Sequence, residues 1–260
     1  MTFKRKTNRL YYQDFHLSEA KARVIRVEKD SIELDATVAY PEGGGQEADH
    51  GVIHLEGGAA LRFNDAKKIY TRLAALSDFP GLYVDGVIQH VIAEEDRQLL
   101  SLVEPGMSAT VSIDVKRRAC LALSHTASHL LYLGIAEVRP DAIESTIGCH
   151  IKTDSARFDF KVETRFSTDE LLAIEQVANG YVQRNASITV SAHHLVPDAR
   201  LWHCEGHTIP CGGIHIAQTA AIGLLQVRRR GLGAGKERIS CTFPQALLKL
   251  EGYHGKHFGV

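Results

Sequence analysis

Two pairs of residues in this chain have spacings that metal chemistry uses. His125 and His129, in "LSHTASHLL", lie four apart in a stretch of leucine, alanine and small polar residues. On a helix, residues four apart stand on one face, so the two imidazoles can aim at a single point and form half of a zinc site. Taken alone, the pair fits two hydrogen-bonded core histidines better than a metal site. Position 126, where helical zinc proteases carry a glutamate general base, is a threonine, which argues against proteolysis. The second pair is Cys211 and His215, in "HCEGHTIPCGGIHI", with Gly212 and Gly213 between them allowing a sharp backbone turn. Together the pairs offer nitrogens and one thiolate, a donor set that suits Zn2+. His203, Cys204 and His207 crowd the same segment, as rival ligands or as loop residues beside the site. Four protein donors normally close a structural zinc site, whereas a catalytic site keeps one position open, and the sequence leaves both cases standing.

The elements that must position these residues change character near residue 115. From about 20 to 114, "ARVIRV", "SIELDATVAY", "GVIHL", "AALRF", "GVIQHVI" and "SATVSID" are short runs rich in Val and Ile, punctuated by Gly, Asp, Glu and Pro. Six such strands predict a small barrel or sandwich rather than βαβ units. One connection, "AYPEGGGQEADHG", holds Gly43, Gly44 and Gly45 in a row. It is either a mobile surface loop or one whose backbone must approach a ligand closely. From about Arg117 to Ala136 the pattern is helical, with Pro140 beyond its end. "ARFDFKV" then reads as a strand, and "STDELLAIEQVANGYVQRNASI" as a helix with a Ser167–Glu170 capping box. "IGLLQVRRR", "GLGAG" and "KERISCTF" read as two strands joined by a glycine-rich turn. The expected organisation is α+β, with a β-barrel domain over 1–114 and an α+β metal-binding domain over 115–260.

Thirty Lys and Arg against thirty-one Asp and Glu leave the chain almost neutral. Any nucleic-acid partner must then be held by a local patch. The densest is Arg228, Arg229, Arg230, Lys236 and Arg238 around the glycine-rich turn, opposed only by Glu237. Lys116 to Arg118 and Lys4 to Arg9 are weaker candidates. No uninterrupted apolar run approaches membrane length, so no membrane partner is expected, and the basic N-terminus lacks the apolar segment of a secretory signal. Five scattered cysteines are a poor disulfide framework and fit a reducing, cytoplasmic location.

"YPEGGGQEADHG", "HTASHLL" and "PCGGIHIAQTAAIG" occur in this order. Together they resemble the editing module of alanyl-tRNA synthetase and its free-standing relatives, the AlaX trans-editing proteins, over roughly residues 8 to 243. The related editing domain of threonyl-tRNA synthetase shares the two metal-type motifs but lacks the glycine-rich loop. The length leaves no room for an aminoacylation domain, so the likeness is to a free-standing member carrying the extra barrel. The resemblance implies hydrolysis of the ester in tRNA(Ala) wrongly charged with serine or glycine. It implies a Zn2+ site at His125, His129, Cys211 and His215. It assigns Gly43, Gly44, Gly45 and Gln46 to a loop tied to editing activity and tRNA handling, with Asp49 and Gly51 completing that motif. Thr146 falls where the family often has a polar pocket residue, with Cys149 and His150 nearby. A polar pocket suits the task, since hydrogen bonding to the serine hydroxyl discriminates better than an apolar wall. The family's usual threonine before the last histidine is here Ile214, which removes a hydroxyl near the site. A non-catalytic RNA-binding protein with structural zinc is the main rival, and an unrelated metal-dependent esterase the second.

Overall fold

The structure, a computed structural model, describes residues 5–79 and 81–255. It gathers into two compact units. One runs to Gly43, resumes over Ala48–Arg118 and takes in the chain again from Leu250; the other holds Gly44–Glu47 and Ala119–Lys249. Relative to a single cut near residue 115, two segments have thus changed sides: the glycine-rich turn and the tail.

In the first unit, six strands correspond one for one to the six apolar runs. They are β1 (Leu17–Val27), β2 (Ser31–Leu34), β3 (Gly51–Leu55), β4 (Ala60–Ile69), β5 (Val87–Ile92) and β6 (Ser108–Ile113). All pair antiparallel, in the order β6–β3–β4–β5–β2–β1. β1 then returns to β6 with Ala20 opposite Val111, so the sheet is a closed barrel and not a sandwich. The pleat explains the pattern: along β6, Ala109, Val111 and Ile113 are buried while the residues between them are not. They join Leu17, Ile32, Leu34, Ile53, Leu61 and Phe63 in one apolar interior.

α1 (Val115–Val138) starts where Asp114 Oδ1 accepts the Arg117 backbone N–H at 2.9 Å. Arg118, wholly buried, donates to both Asp49 oxygens from 3.0 and 3.1 Å and to the Phe15 and Val38 carbonyls. Arg117 donates to the Ala48 carbonyl, and Lys6 and Arg5 pair with Asp85 and Glu33. The weaker basic candidates are thus largely engaged in holding the fold; Lys4 lies outside the described residues.

In the second unit, α1 is buried on nearly every side, with Leu121, Leu123, Leu130, Leu131 and Ile135 in the interior. By length and composition it could cross a bilayer, but 83% of its apolar window is buried inside the protein, which makes it a core helix. β7 (Thr146–Ile151), β8 (Ser155–Lys161), β12 (Gln226–Gly233) and β13 (Lys236–Thr242) form an antiparallel sheet ordered β7–β8–β13–β12. α2 (Thr168–Gln183) carries the expected capping box, Ser167 Oγ accepting from Glu170 N and Glu170 Oε2 from Ser167 N. It buries Ile174, Ala178 and Tyr181. β9 (Ile188–Ala192), β10 (Arg200–Cys204) and β11 (His207–Pro210) make a small antiparallel sheet. Glu205 and Gly206, at φ 45° and 86°, turn β10 into β11. In the first unit, β14 (His254–Gly255) runs parallel to β1, with His254 opposite Leu17.

Candidate metal centre

One turn of α1 carries His125 and His129 into the interior with their rings parallel, 5.1 Å apart. Cys211 and His215 come from the loop after β11. The four ligating atoms lie within 4.8 Å of one another. Cys211 Sγ is 3.4 Å from His125 Nε2 and 3.3 Å from His215 Nε2. A tetrahedral zinc with bonds of about 2.0 Å to nitrogen and 2.3 Å to sulfur sets those atoms about 3.5 Å apart. The separations therefore suit joint coordination, and a single S–H could donate to only one of the two imidazoles.

The outer contacts fix which nitrogen each ring presents. Gln46 Oε1 lies 3.4 Å from the Ile214 backbone N–H, which can only donate, and 2.6 Å from His125 Nδ1. The amide oxygen must therefore accept both bonds, so His125 carries its proton on Nδ1 and leaves Nε2 free for a metal. Thr126 does the same for His215. Its hydroxyl donates to Ala122 O at 2.9 Å and accepts from Ile216 N at 3.2 Å, which leaves His215 Nδ1, at 3.4 Å, as a donor. Trp202 stacks on His129, 4.7 Å between centroids. His129 Nε2 is buried without a hydrogen-bond partner among the described residues, a cost that coordination would relieve.

Burial holds His125 and His215 well below 6.5, their imidazole neighbours acting in the same direction, and takes His129 down to about 3. All three rings are thus neutral, the form that ligates. Burial also pushes the Cys211 thiol up to about 12, so it stays protonated at neutral pH unless a cation occupies the cluster.

The glycines make this approach possible. Gly45, at φ 84°, would put a Cβ 2.9 Å from Cys149 Sγ and 3.0 Å from the Cys149 carbonyl oxygen. Its own carbonyl accepts from Ile151 N at 2.8 Å, and Glu47 N donates to Ile151 O at 3.1 Å. The turn therefore sits against β7 and delivers Gln46, wholly buried, onto His125. A Cβ on Gly213 would fall 2.0 Å from His125 Cε1. Gly44 also has positive φ, while Gly43 belongs to the first unit.

The remaining candidates are placed apart from one another. Thr146 begins β7 exposed, its hydroxyl donating to the Ile143 carbonyl at 2.8 Å. His150 pairs with Glu47 at 3.2 Å. His203 bonds Ser191 and Thr208, Cys204 is buried in the core, and His207 meets the Tyr181 hydroxyl at 2.9 Å. These three sit on a hairpin rather than in a loop, and its turn signal, Glu205–Gly206, was open to a sequence reading. The roles of Gln46, Thr126 and Trp202 were not.

A six-stranded barrel and an α+β unit enclosing three histidines and a cysteine define a two-unit protein with a candidate metal centre. Over 264 residues, 94% of the chain, it is 30% identical to an alanine–tRNA ligase of Methanothermobacter thermautotrophicus, covering 27% of that protein. Matches to the alanine–tRNA ligases of Methanosphaera stadtmanae, 30% identical over 94% of the chain, and Haloquadratum walsbyi, 31% over 85%, cover 28% and 24% of those proteins. The chain spans about a quarter of the length of these curated relatives. No family model matches it. The chain is a homologue of one segment of the alanine–tRNA ligases, as its three motifs led us to expect.

Proposed function

We propose that the protein is a cytoplasmic, zinc-dependent aminoacyl-tRNA deacylase that hydrolyses the ester of tRNA(Ala) mischarged with serine or glycine. One observation carries the reading: Gln46, from the glycine-rich motif, hydrogen-bonds His125, from the histidine motif, beside Cys211 and His215 from the third. Three stretches far apart in sequence meet at one buried point, and the homology to alanine–tRNA ligases supports tRNA(Ala) as the substrate. His125, His129, Cys211 and His215 would hold the ion. When bound, zinc supplies Lewis acidity that polarises an ester carbonyl or lowers the pKa of a water. Gln46 and Thr126 keep His125 and His215 in the ligating tautomer, and Trp202 and the neighbouring core exclude bulk water. Direct hydrolysis without a covalent intermediate follows from a Cys211 better used as a ligand than as a nucleophile.

A shell of four protein donors favours a second reading, a structural zinc in a non-catalytic RNA-binding protein. Purified zinc-loaded protein offered Ser-, Gly- and Ala-charged tRNA(Ala) separates the two. The deacylase reading expects loss of the seryl or glycyl ester with the alanyl ester spared, and roughly a hundredfold or greater slowing in His129→Ala and Cys211→Ala. Folded, metal-loaded protein that leaves every ester intact rules the reading out.

A further inference from the structure

The β7–β8–β13–β12 sheet has one face in the core and one facing away from it. Phe158, Phe160, Ile239 and Cys241 are buried on the inner face. The strand registers set Arg157 opposite Ser240, Asp159 opposite Arg238, Lys161 opposite Lys236, Arg228 opposite Ser240 and Arg230 opposite Arg238. Because opposed residues share a face, β8, β13 and β12 present six cations outward: Arg157, Lys161, Arg228, Arg230, Lys236 and Arg238. Asp159 is the one carboxylate among them on these strands. It is shared by Arg157 and Arg238, the latter at 2.7 and 2.9 Å. On β7, His150 faces Arg157 and is itself paired with Glu47. Lys161, Arg228, Arg230 and Lys236 are exposed and have no ion-pair partner among the described residues. Arg229 points the other way, onto the buried Glu237 at 3.1 Å.

We infer that this outward sheet face docks the phosphate backbone of RNA through Arg228, Arg230, Lys161 and Lys236, with tRNA as the RNA on the reading proposed above. The chemistry is that of a polyanion site. Free cations recur at alternate residues, roughly 6–7 Å apart along a strand, and Ser155, Gln226, Ser240 and Thr242 between them supply neutral donors. The outward positions of β8 and β13 carry no apolar side chain to insert into a lipid layer, and on β12 the exposed apolar side chain is the single Leu232 beside the hairpin turn. Such contacts supply affinity and register without sequence readout.

The test measures binding of uncharged tRNA(Ala) across a salt series, with no hydrolysis needed. Arg228→Ala/Arg230→Ala and Lys161→Ala/Lys236→Ala each remove two exposed cations, and Lys29→Ala/Lys249→Ala removes two elsewhere as a charge-matched control. Each sheet variant is expected to bind roughly tenfold or more weakly, with a log–log salt slope shallower by about 2, while the control keeps the wild-type slope. Sheet variants that bind like the control overturn the docking face, whatever the deacylation assay reports. Sheet-dependent tRNA binding by a protein that cleaves no ester keeps the face and removes the enzyme reading. Loss of binding to phosphatidylserine vesicles, with tRNA binding unchanged, would also overturn it in favour of a lipid surface.

Discussion

At the scale of single residues, Gln46 changes what the glycine-rich motif means. By composition, Gly43 to Gln46 fit either a mobile surface loop or one needing close backbone approach. The structure gives the approach a target, Gly45 against Cys149, and a purpose, an amide oxygen 2.6 Å from His125 Nδ1. Gln46→Leu removes that acceptor and strands two donors, His125 Nδ1 and Ile214 N. Zinc affinity, measured by chelator competition, should fall about 10–100-fold, while Gln46→Glu, which still accepts, should recover most of it. Unchanged affinity in Gln46→Leu would mean that the amide does not orient the ligand. The ligand spacings were legible because i, i+4 geometry is local. The bond from Gln46 to His125 was not, since the two lie 79 residues apart. Thr126 was read only as a missing glutamate, because a hydroxyl that fixes a tautomer leaves no trace in sequence spacing.

At the scale of elements, the start of α1 is held by a charge pair that the sequence shows only as two charged letters, Asp49 and Arg118, sixty-nine residues apart. Both side chains are fully buried, and Asp49 also accepts the Tyr40 backbone N–H at 2.6 Å. Removing one member leaves the other charge unpaired in the interior, a cost of about 3–5 kcal/mol. Asp49→Asn should therefore lower the midpoint of chemical unfolding sharply, whereas Asp49→Leu/Arg118→Met should lose less than the single change. If the single and double variants unfold alike, the pair is not what holds the helix start. Elements with local signatures were readable: the barrel strands from period-two burial and α2 from its capping box. β9 to β11 were not, because β10 offers only Trp202 and Cys204 as buried residues in a segment crowded with histidines. There the pleat decides, turning Trp202 inward onto His129 and His203 outward onto Ser191 and Thr208.

At the scale of the whole molecule, the sequence made the two architectures legible but not the segments they exchange. The return of the tail to β1 and the grouping of Gly44–Glu47 with the histidines rest on long-range hydrogen bonds that no local pattern encodes. Acid stability is likewise a property of the assembled fold, and the barrel contains its own determinant. His90, on β5, is wholly buried; its Nδ1–H donates to the Ile32 carbonyl at 3.2 Å, and its Nε2 faces the Thr37 hydroxyl at 2.8 Å. Burial lowers its pKa from 6.5 to about 4, only partly offset by the bond to Ile32. Between those values the unfolded chain binds the proton that the folded barrel refuses. The stabilisation is thus complete above about pH 6.5 and is lost as the pH falls towards 4, amounting to about 3 kcal/mol at the acid end. Substituting His90→Asn removes the titration while keeping a polar side chain for Thr37 and Ile32. Unfolding midpoints followed from pH 7.5 to 4 should fall less steeply in the variant than in the wild type, whatever its stability at neutral pH. Parallel curves would place the acid sensitivity of the molecule elsewhere than in the barrel.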